Sequence, residues 1–192
     1  ISLAQETVLS TSGNSPGRIV IRSGHFVIDN AHLEVLSTAS HPNSTGGISV
    51  QTEQATLSQG STIVTSTIDG TAGNIAFEVG TFRSNVGAAG SPLIAAAPVT
   101  IASTSTGHGG AGTISITGNA GKPADAVLLS KTHIVTGVSN AADPTVTPGN
   151  IELTAQRVEL TNGTSLRADT TGGADAGAIT LNVETLKTQA GP

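Results

Sequence analysis

The chain has 192 residues, a formal net charge of −5 and no cysteine, and only 11% of its residues are charged. This composition excludes disulfides and thiolate metal sites, and the 8 scattered Lys and Arg residues leave no basic patch for nucleic acid. The longest apolar stretch, 92–102, is shorter than the roughly 20 residues that a membrane-spanning helix needs, so no membrane span is expected.

A five-residue pattern recurs along the chain, in the order Gly, any residue, Ile, any residue, large apolar residue. Its six copies begin at Gly17, Gly46, Gly73, Gly112, Gly149 and Gly177. The intervals between them are 29, 27, 39, 37 and 28 residues. Three intervals are nearly constant, and the two long ones indicate insertions into the same unit.

The second half of the unit also repeats. The segment 57–63 aligns with the segment 160–166, and both contain a polar residue followed by glycine, Gln59-Gly60 and Asn162-Gly163. A polar residue followed by glycine predicts a tight turn with positive φ. On either side of the turn, apolar residues alternate with other residues, which is typical of short strands.

A unit of about 28 residues cannot bury its apolar face alone, and stacking one unit on the next completes a core. We therefore predict an all-β fold, a right-handed parallel β-helix of about seven coils of roughly 28 residues with insertions, forming a single domain over 1–192. An antiparallel sandwich or barrel is the competing fold, but it gives no reason for Ile to recur after Gly. The predicted inward ladder consists of Ile19, Ile48, Ile75, Ile114, Ile151 and Ile179.

These units resemble the shaft repeats of filamentous haemagglutinin-like exoproteins of two-partner secretion systems. The resemblance is carried by units such as 149–153, 160–166 and 177–179, and it extends from Gly17 to Val183. It implies a right-handed β-helix, export to the surface of a Gram-negative-type bacterium and a role in adhesion or surface structure. The secretion domain of that family carries Asn-Pro-Asn signatures, which the nearest string here, His41-Pro42-Asn43, does not match. The chain therefore resembles the shaft of these proteins.

Many β-helix proteins cleave polysaccharides, which requires clustered carboxylates and favours aromatic platforms for sugar rings. The chain has no Trp or Tyr. The candidate carboxylates, which form no sequence motif, are Asp125, Asp143, Glu152, Glu159, Asp175 and Glu184. The histidines, which show no metal-ligand spacing, are His25, His32, His41, His108 and His133. We predict a structural protein without catalytic, cofactor or metal residues, and a carbohydrate-active β-helix enzyme is the alternative.

Two other sequence features are interpreted as structural. The glycine-rich runs 107–112 and 172–177 lack the Lys and Ser/Thr of a phosphate loop, so they are interpreted as turns between coils. The strings Thr65-Ser66-Thr67 and Thr104-Ser105-Thr106 vary too much for a regular ice-binding ladder, so they are predicted to lie on a solvated surface.

The insertions in the two long units are candidate recognition loops for a host-cell or matrix ligand, because loops on one face of a solenoid often bind partners. The alternative interpretation is sequence drift that a surface loop tolerates without any binding role. Their marker residues are Val86, Ser91, Lys122 and Asp143.

The two ends of the sequence carry no polar capping unit. The segment 177–188 begins as a normal unit, and 1–13 reads as the second half of one. Open ends of this kind predict head-to-tail self-association or continuation of a longer shaft. The residues expected to make the end-to-end contact are Leu3, Val8, Ile179, Leu181 and Leu186.

Overall fold

The computed structural model describes residues 1–15, 17–38, 46–87, 95–141 and 146–190. Within these ranges the chain forms fourteen β-strands and one short 3-10 helix, Asn119–Gly121, and no α-helix. The strands form two sheets, and the strand pairs in the described ranges are all parallel. The prediction of an all-β chain with parallel strands is confirmed, and the antiparallel sandwich is excluded.

The strands of the first sheet are β1 (Ser2–Ala4), β3 (Ile19–Asp29), β5 (Ile48–Ser58), β7 (Ile75–Ser84), β9 (Ile114–Thr117), β10 (Ala124–Ser130), β12 (Ile151–Thr161) and β14 (Ile179–Gln189). The strands of the second sheet are β2 (Val8–Gly13), β4 (His32–Ser37), β6 (Thr62–Thr67), β8 (Val99–Ser105), β11 (Thr132–Ala141) and β13 (Ser165–Gly172).

The spatial order of the strands follows the order of the chain. The first sheet runs β1-β3-β5-β7-β10-β12-β14, with β9 also placed between β7 and β12, and the second runs β2-β4-β6-β8-β11-β13. The chain therefore crosses from one sheet to the other and back, and each strand pairs with the previous strand on its own sheet. This arrangement is consistent with a parallel β-helix.

The long strands of the first sheet turn a corner near their middle. In β3 the buried side chains Ile19 and Ile21 are two residues apart, but the next buried pair, Phe26 and Ile28, begins five residues further on. An odd interval reverses the side-chain alternation of a strand, so the backbone must bend between the two pairs. The insertion 118–123 opens the same corner between β9 and β10.

The interior between the sheets is filled by columns of apolar side chains. All three phenylalanines of the chain are fully buried, and the rings of Phe77 and Phe82 meet edge to face with centroids 4.9 Å apart. Burial of one such side chain contributes about 1.5–3 kcal/mol. With only three aromatic residues, most of the core is aliphatic.

The glycines that begin the repeat stack directly on one another. A Cβ atom on Gly112 would collide with the carbonyl group of Gly73, and Gly149 stands in the same relation to Gly112. Gly177 stands likewise above Gly149. At Gly112, Gly149 and Gly177 the glycine is therefore required by the close approach of successive backbones at this corner.

Buried hydroxyls bind the carbonyl groups of this glycine column. Thr65 and Ser103 donate to the Gly73 carbonyl oxygen at 2.6 and 3.0 Å, and Thr136 donates to that of Gly149 at 2.7 Å. The prediction that the Ser/Thr strings lie on a solvated surface is wrong for their inward members, because these hydroxyls serve the corner backbone. The buried residues of the two strings are Thr65, Thr67 and Ser105.

The corner between the two sheets uses residues with positive φ. Gln59-Gly60 and Asn162-Gly163 adopt this conformation as the repeat predicts. The equivalent residue after β7 is Asn85, which is fully buried. Its side-chain oxygen accepts a hydrogen bond from the backbone N–H of Gln59 at 3.2 Å, and its side-chain NH2 group donates one to the backbone carbonyl of Ala97 at 2.9 Å. Asn85 therefore links three successive segments of the corner.

We expect Gly112→Ala to lower the free energy of unfolding by about 2–3 kcal/mol, because the added methyl group meets rigid backbone. Gly24→Ala is the matched control, since a Cβ there meets nothing within 4 Å, and it should change stability by less than about 0.5 kcal/mol. Urea unfolding of both variants measures the difference. Equal losses would contradict the close approach at Gly112.

We expect Asn85→Ala to cost about 2–4 kcal/mol, because it removes the hydrogen bonds that this fully buried side chain makes to the backbone of Gln59 and Ala97. Asn30 also has positive φ but is exposed, so Asn30→Ala controls for backbone strain alone and should cost under about 1 kcal/mol. Thermal unfolding of the two variants separates the two effects. A loss at Asn30 as large as that at Asn85 would show that strain dominates.

Candidate functional site

The carboxylates are dispersed over the described surface. Glu159 is the most enclosed of the candidates that are described, and it forms ion pairs with Arg157 at 3.5 Å and Lys187 at 4.0 Å. Asp143 lies outside the described residues. The other candidates are exposed and are Asp125, Glu152, Asp175 and Glu184. In the described ranges, no group of three or more His, Asp or Glu residues is placed to hold a metal ion.

The histidines are also separated, and two of them bind hydroxyls of the next strand. Nδ1 of His32 lies 2.6 Å from the Thr62 hydroxyl, and Nδ1 of His133 lies 2.7 Å from the Ser165 hydroxyl. His108 lies 3.5 Å from Asp69 in an exposed pair. His25 is exposed, and His41 lies outside the described residues.

The glycine-rich run 107–112 packs against backbone. A Cβ atom on Gly109 would collide with the carbonyl group of Gly70, as one on Gly112 would with Gly73. These glycines are buried, so their backbone is not open to a phosphate. A groove of about 560 Å³ on the described surface is lined by residues that include Arg18, and its lining contains no carboxylate or histidine. The described ranges also contain no helix long and apolar enough to span a membrane.

Two of the four insertion markers, Val86 and Lys122, lie within the described residues. Val86 is buried in a small cluster with Ala126 and Leu128. Lys122 is exposed next to the 3-10 helix, before β10 begins. These two residues lie towards opposite ends of β10. Ser91 and Asp143 lie outside the described residues.

The six isoleucines of the predicted ladder occupy paired positions in successive strands of the first sheet. Five of them are at most 5% exposed, whereas Ile179 on β14 is 44% exposed. On the same strand Leu186 is 47% exposed, and Leu181 is partly buried. The outer edge of β14 therefore presents the same apolar columns that are covered elsewhere.

The opposite end presents strands β1 and β2. Leu3 is partly buried and pairs with Ile28. Val8 pairs with His32, and both side chains point outward from the second sheet. The next residue, Leu9, points inward and continues the column of the buried Leu33. At this end the exposed inward side chain of the second sheet is therefore Leu9, which sequence spacing alone did not single out.

Strand β1 and the second half of β14 belong to the same part of the first sheet. One column of paired residues begins with Leu3 on β1 and continues through Ile28 and Leu57. At the opposite end of the sheet the same column ends with Leu160 and then Thr188 on β14. Both ends of the structure therefore carry a strand over this segment. If β14 of one copy stacked on β3 of another, its second half would need the position that β1 of that second copy occupies.

We call the outward face of the second sheet the outer face. Its charged side chains lie on the outer strands and not on the middle ones. Its middle strands β6, β8 and β11 carry no carboxylate, Lys or Arg there, whereas Glu34 on β4 and Arg167 on β13 lie at its two sides. The central outward column is Ser10, Glu34, Val64, Ala102, Val135 and Arg167. The flanking columns are Val8, His32, Thr62, Thr100, His133, Ser165 and Ser12, Leu36, Ser66, Thr104, Gly137, Asp169.

Comparisons with protein-family models, curated proteins and solved structures give no match for this chain.

Proposed function

We propose that this chain forms a shaft in an extracellular adhesive or cell-surface structure of a Gram-negative-type bacterium, as a right-handed parallel β-helix of about seven coils. Right-handed crossover is the rule for parallel strands of one sheet, which supports the handedness. The resemblance of the repeats to filamentous haemagglutinin-like shafts supports the location and the adhesive role. The role proposed here is mechanical, without a catalytic step.

The observation that carries this proposal is the unbroken register of the side-chain columns up to the outer edge of β14. Ile179 pairs with Ile151, and Leu186 pairs with Val158, in the same way as each earlier strand pairs with its neighbour. The edge thus offers free backbone groups together with an apolar ladder. Such an edge is a template for another strand of the same kind.

In the isolated chain we assign this edge to a second copy, stacked head to tail. The columns extend without a gap if β14 of one copy lies below β3 of the next, with Ile179 under Ile19 and Leu181 under Ile21. On the second sheet Leu166 then lies under Leu9. A contact of this type uses different surfaces on the two copies and generates a filament.

The seamless stack requires the incoming β14 to take the place of β1. Its second half would then pair with β3 of the next copy, with Leu186 next to Phe26. Strand β1 has only three residues, and Ile1 before it is 58% exposed. β1 therefore competes weakly with the longer strand from the neighbouring copy.

We expect deletion of residues 1–4 to increase filament formation, because it removes the strand that competes with β14. Leu186→Glu should abolish head-to-tail filament formation by placing a carboxylate in the apolar column. Electron microscopy and light scattering over a dilution series measure both effects, and a layer line at about 4.8 Å would identify axial stacking. Circular dichroism checks that each variant is folded.

Thr180→Glu is the matched control, because Thr180 lies on the same strand and pairs with the exposed Glu152 on the outward side. It adds the same charge without entering an apolar column, so filaments should still form. A folded deletion variant that stays monomeric at high concentration would contradict head-to-tail stacking.

A further inference from the structure

We propose that the outer face of the second sheet binds the same face of a second copy, with the two shafts antiparallel. The contact would be lateral and symmetric, so it is distinct from the head-to-tail stack. It rests on Glu34 and Arg167 in the central column and on the uncharged region between them; Asp169, in a flanking column, forms an ion pair with Arg167 of its own copy. It does not require the ends of the chain to be free.

Glu34 and Arg167 lie in one column, and each is two strands away from Ala102. Between them the column contains Val64, Ala102 and Val135, so Ala102 on β8 is the midpoint. A two-fold axis over β8, parallel to the strands, exchanges β4 with β13 and β6 with β11. Under this symmetry Glu34 of each copy meets Arg167 of the other.

The same symmetry pairs the uncharged side chains. Val64 then meets Val135 of the second copy, and Ala102 meets its own equivalent. In the flanking columns Thr100 and Thr104 also meet their equivalents. Small residues at the centre allow two sheets to approach to about 10 Å or less. The pairing therefore places aliphatic contact inside and opposite charges at the two sides.

The parallel alternative is disfavoured by the same residues. A two-fold axis along the shaft would place Glu34 against Glu34 and Arg167 against Arg167. Like charges that face each other across an interface oppose association. Arg167 also forms an ion pair with Asp169 at 2.7 Å, and more than half of its side chain is exposed, so it can reach an additional carboxylate. The charges therefore select the antiparallel orientation.

The size of the face predicts a weak contact. Five strands at about 4.8 Å spacing and five residues at about 3.3 Å rise give roughly 24 by 17 Å per copy. Two such faces bury about 800 Å² in total, which is below the standard size of stable interfaces. A single pair should therefore dissociate on dilution, whereas a longer shaft would repeat the contact and hold more tightly.

Sedimentation velocity in the Leu186→Glu background tests this pairing, because that variant removes axial stacking. We expect a concentration-dependent dimer that weakens as salt is added, since the two charge pairs lie at the sides of the contact. Glu34→Lys and Arg167→Glu should each weaken dimerisation by about tenfold or more, because each places like charges together.

Combining the two reversals provides the decisive result. The double variant Glu34→Lys/Arg167→Glu should dimerise again, and an equimolar mixture of the single variants should form a heterodimer. Glu152→Lys makes the same charge change on the first sheet and should leave dimerisation unchanged. In the parallel arrangement the double variant would still have like charges facing each other, so its failure to dimerise would overturn the antiparallel contact.

A chemical probe locates the contact independently. The chain has no cysteine, so Ala102→Cys introduces a single thiol at the proposed centre. A short bis-maleimide should link two copies through this residue. Ser49→Cys, outward on the first sheet, should give far less product. Equal cross-linking at the two sites, or a chain that remains monomeric at all concentrations in low salt, would refute the lateral pairing.

Discussion

The stacked backbone at the repeat glycine is the constraint on which the rest of this structure depends. Successive backbones approach so closely there that a Cβ atom on Gly112 or Gly149 has no room. A shift of one residue would place a side chain at this position and break the stack. The glycine column therefore fixes the register, and the fixed register aligns each isoleucine with the one before it.

The buried hydroxyls follow from the same constraint. Closely stacked corners present carbonyl oxygens that the sheet ladders do not use, and a buried acceptor without a donor is costly. Ser103 and Thr136 supply donors from inside the second sheet. The interior is thus divided into an apolar region between the sheets and a polar line along one corner. This division explains how a chain so rich in Ser and Thr still has a continuous core.

The sequence predicted the strands and their stacking because the informative residues recur at fixed places. The spacing of Gly and Ile defines one segment, and Gln59-Gly60 and Asn162-Gly163 define the turn. It could not predict that Thr65 and Ser105 are buried, since a hydroxyl is equally common on a solvated strand. The sequence analysis also selected Val8 instead of Leu9. When two adjacent residues are both apolar, the alternation along a strand does not show which of them points inward. Glu34 and Arg167 were missed because their shared column exists only once the register is known.

The symmetry of the two parallel sheets determines what kind of contact each surface can form. The strands follow chain order along each sheet, so the two ends of the stack differ, and the proposed contact between unlike ends would add copies without limit along one axis. A contact between the sides can use the same surface on both copies. A two-fold contact of this kind is complete with two copies and does not extend further. With Glu34 and Arg167 at opposite sides of Ala102, the closed pair is complementary only when the shafts run in opposite directions. The proposed axial and lateral contacts together would give bundles of antiparallel filaments.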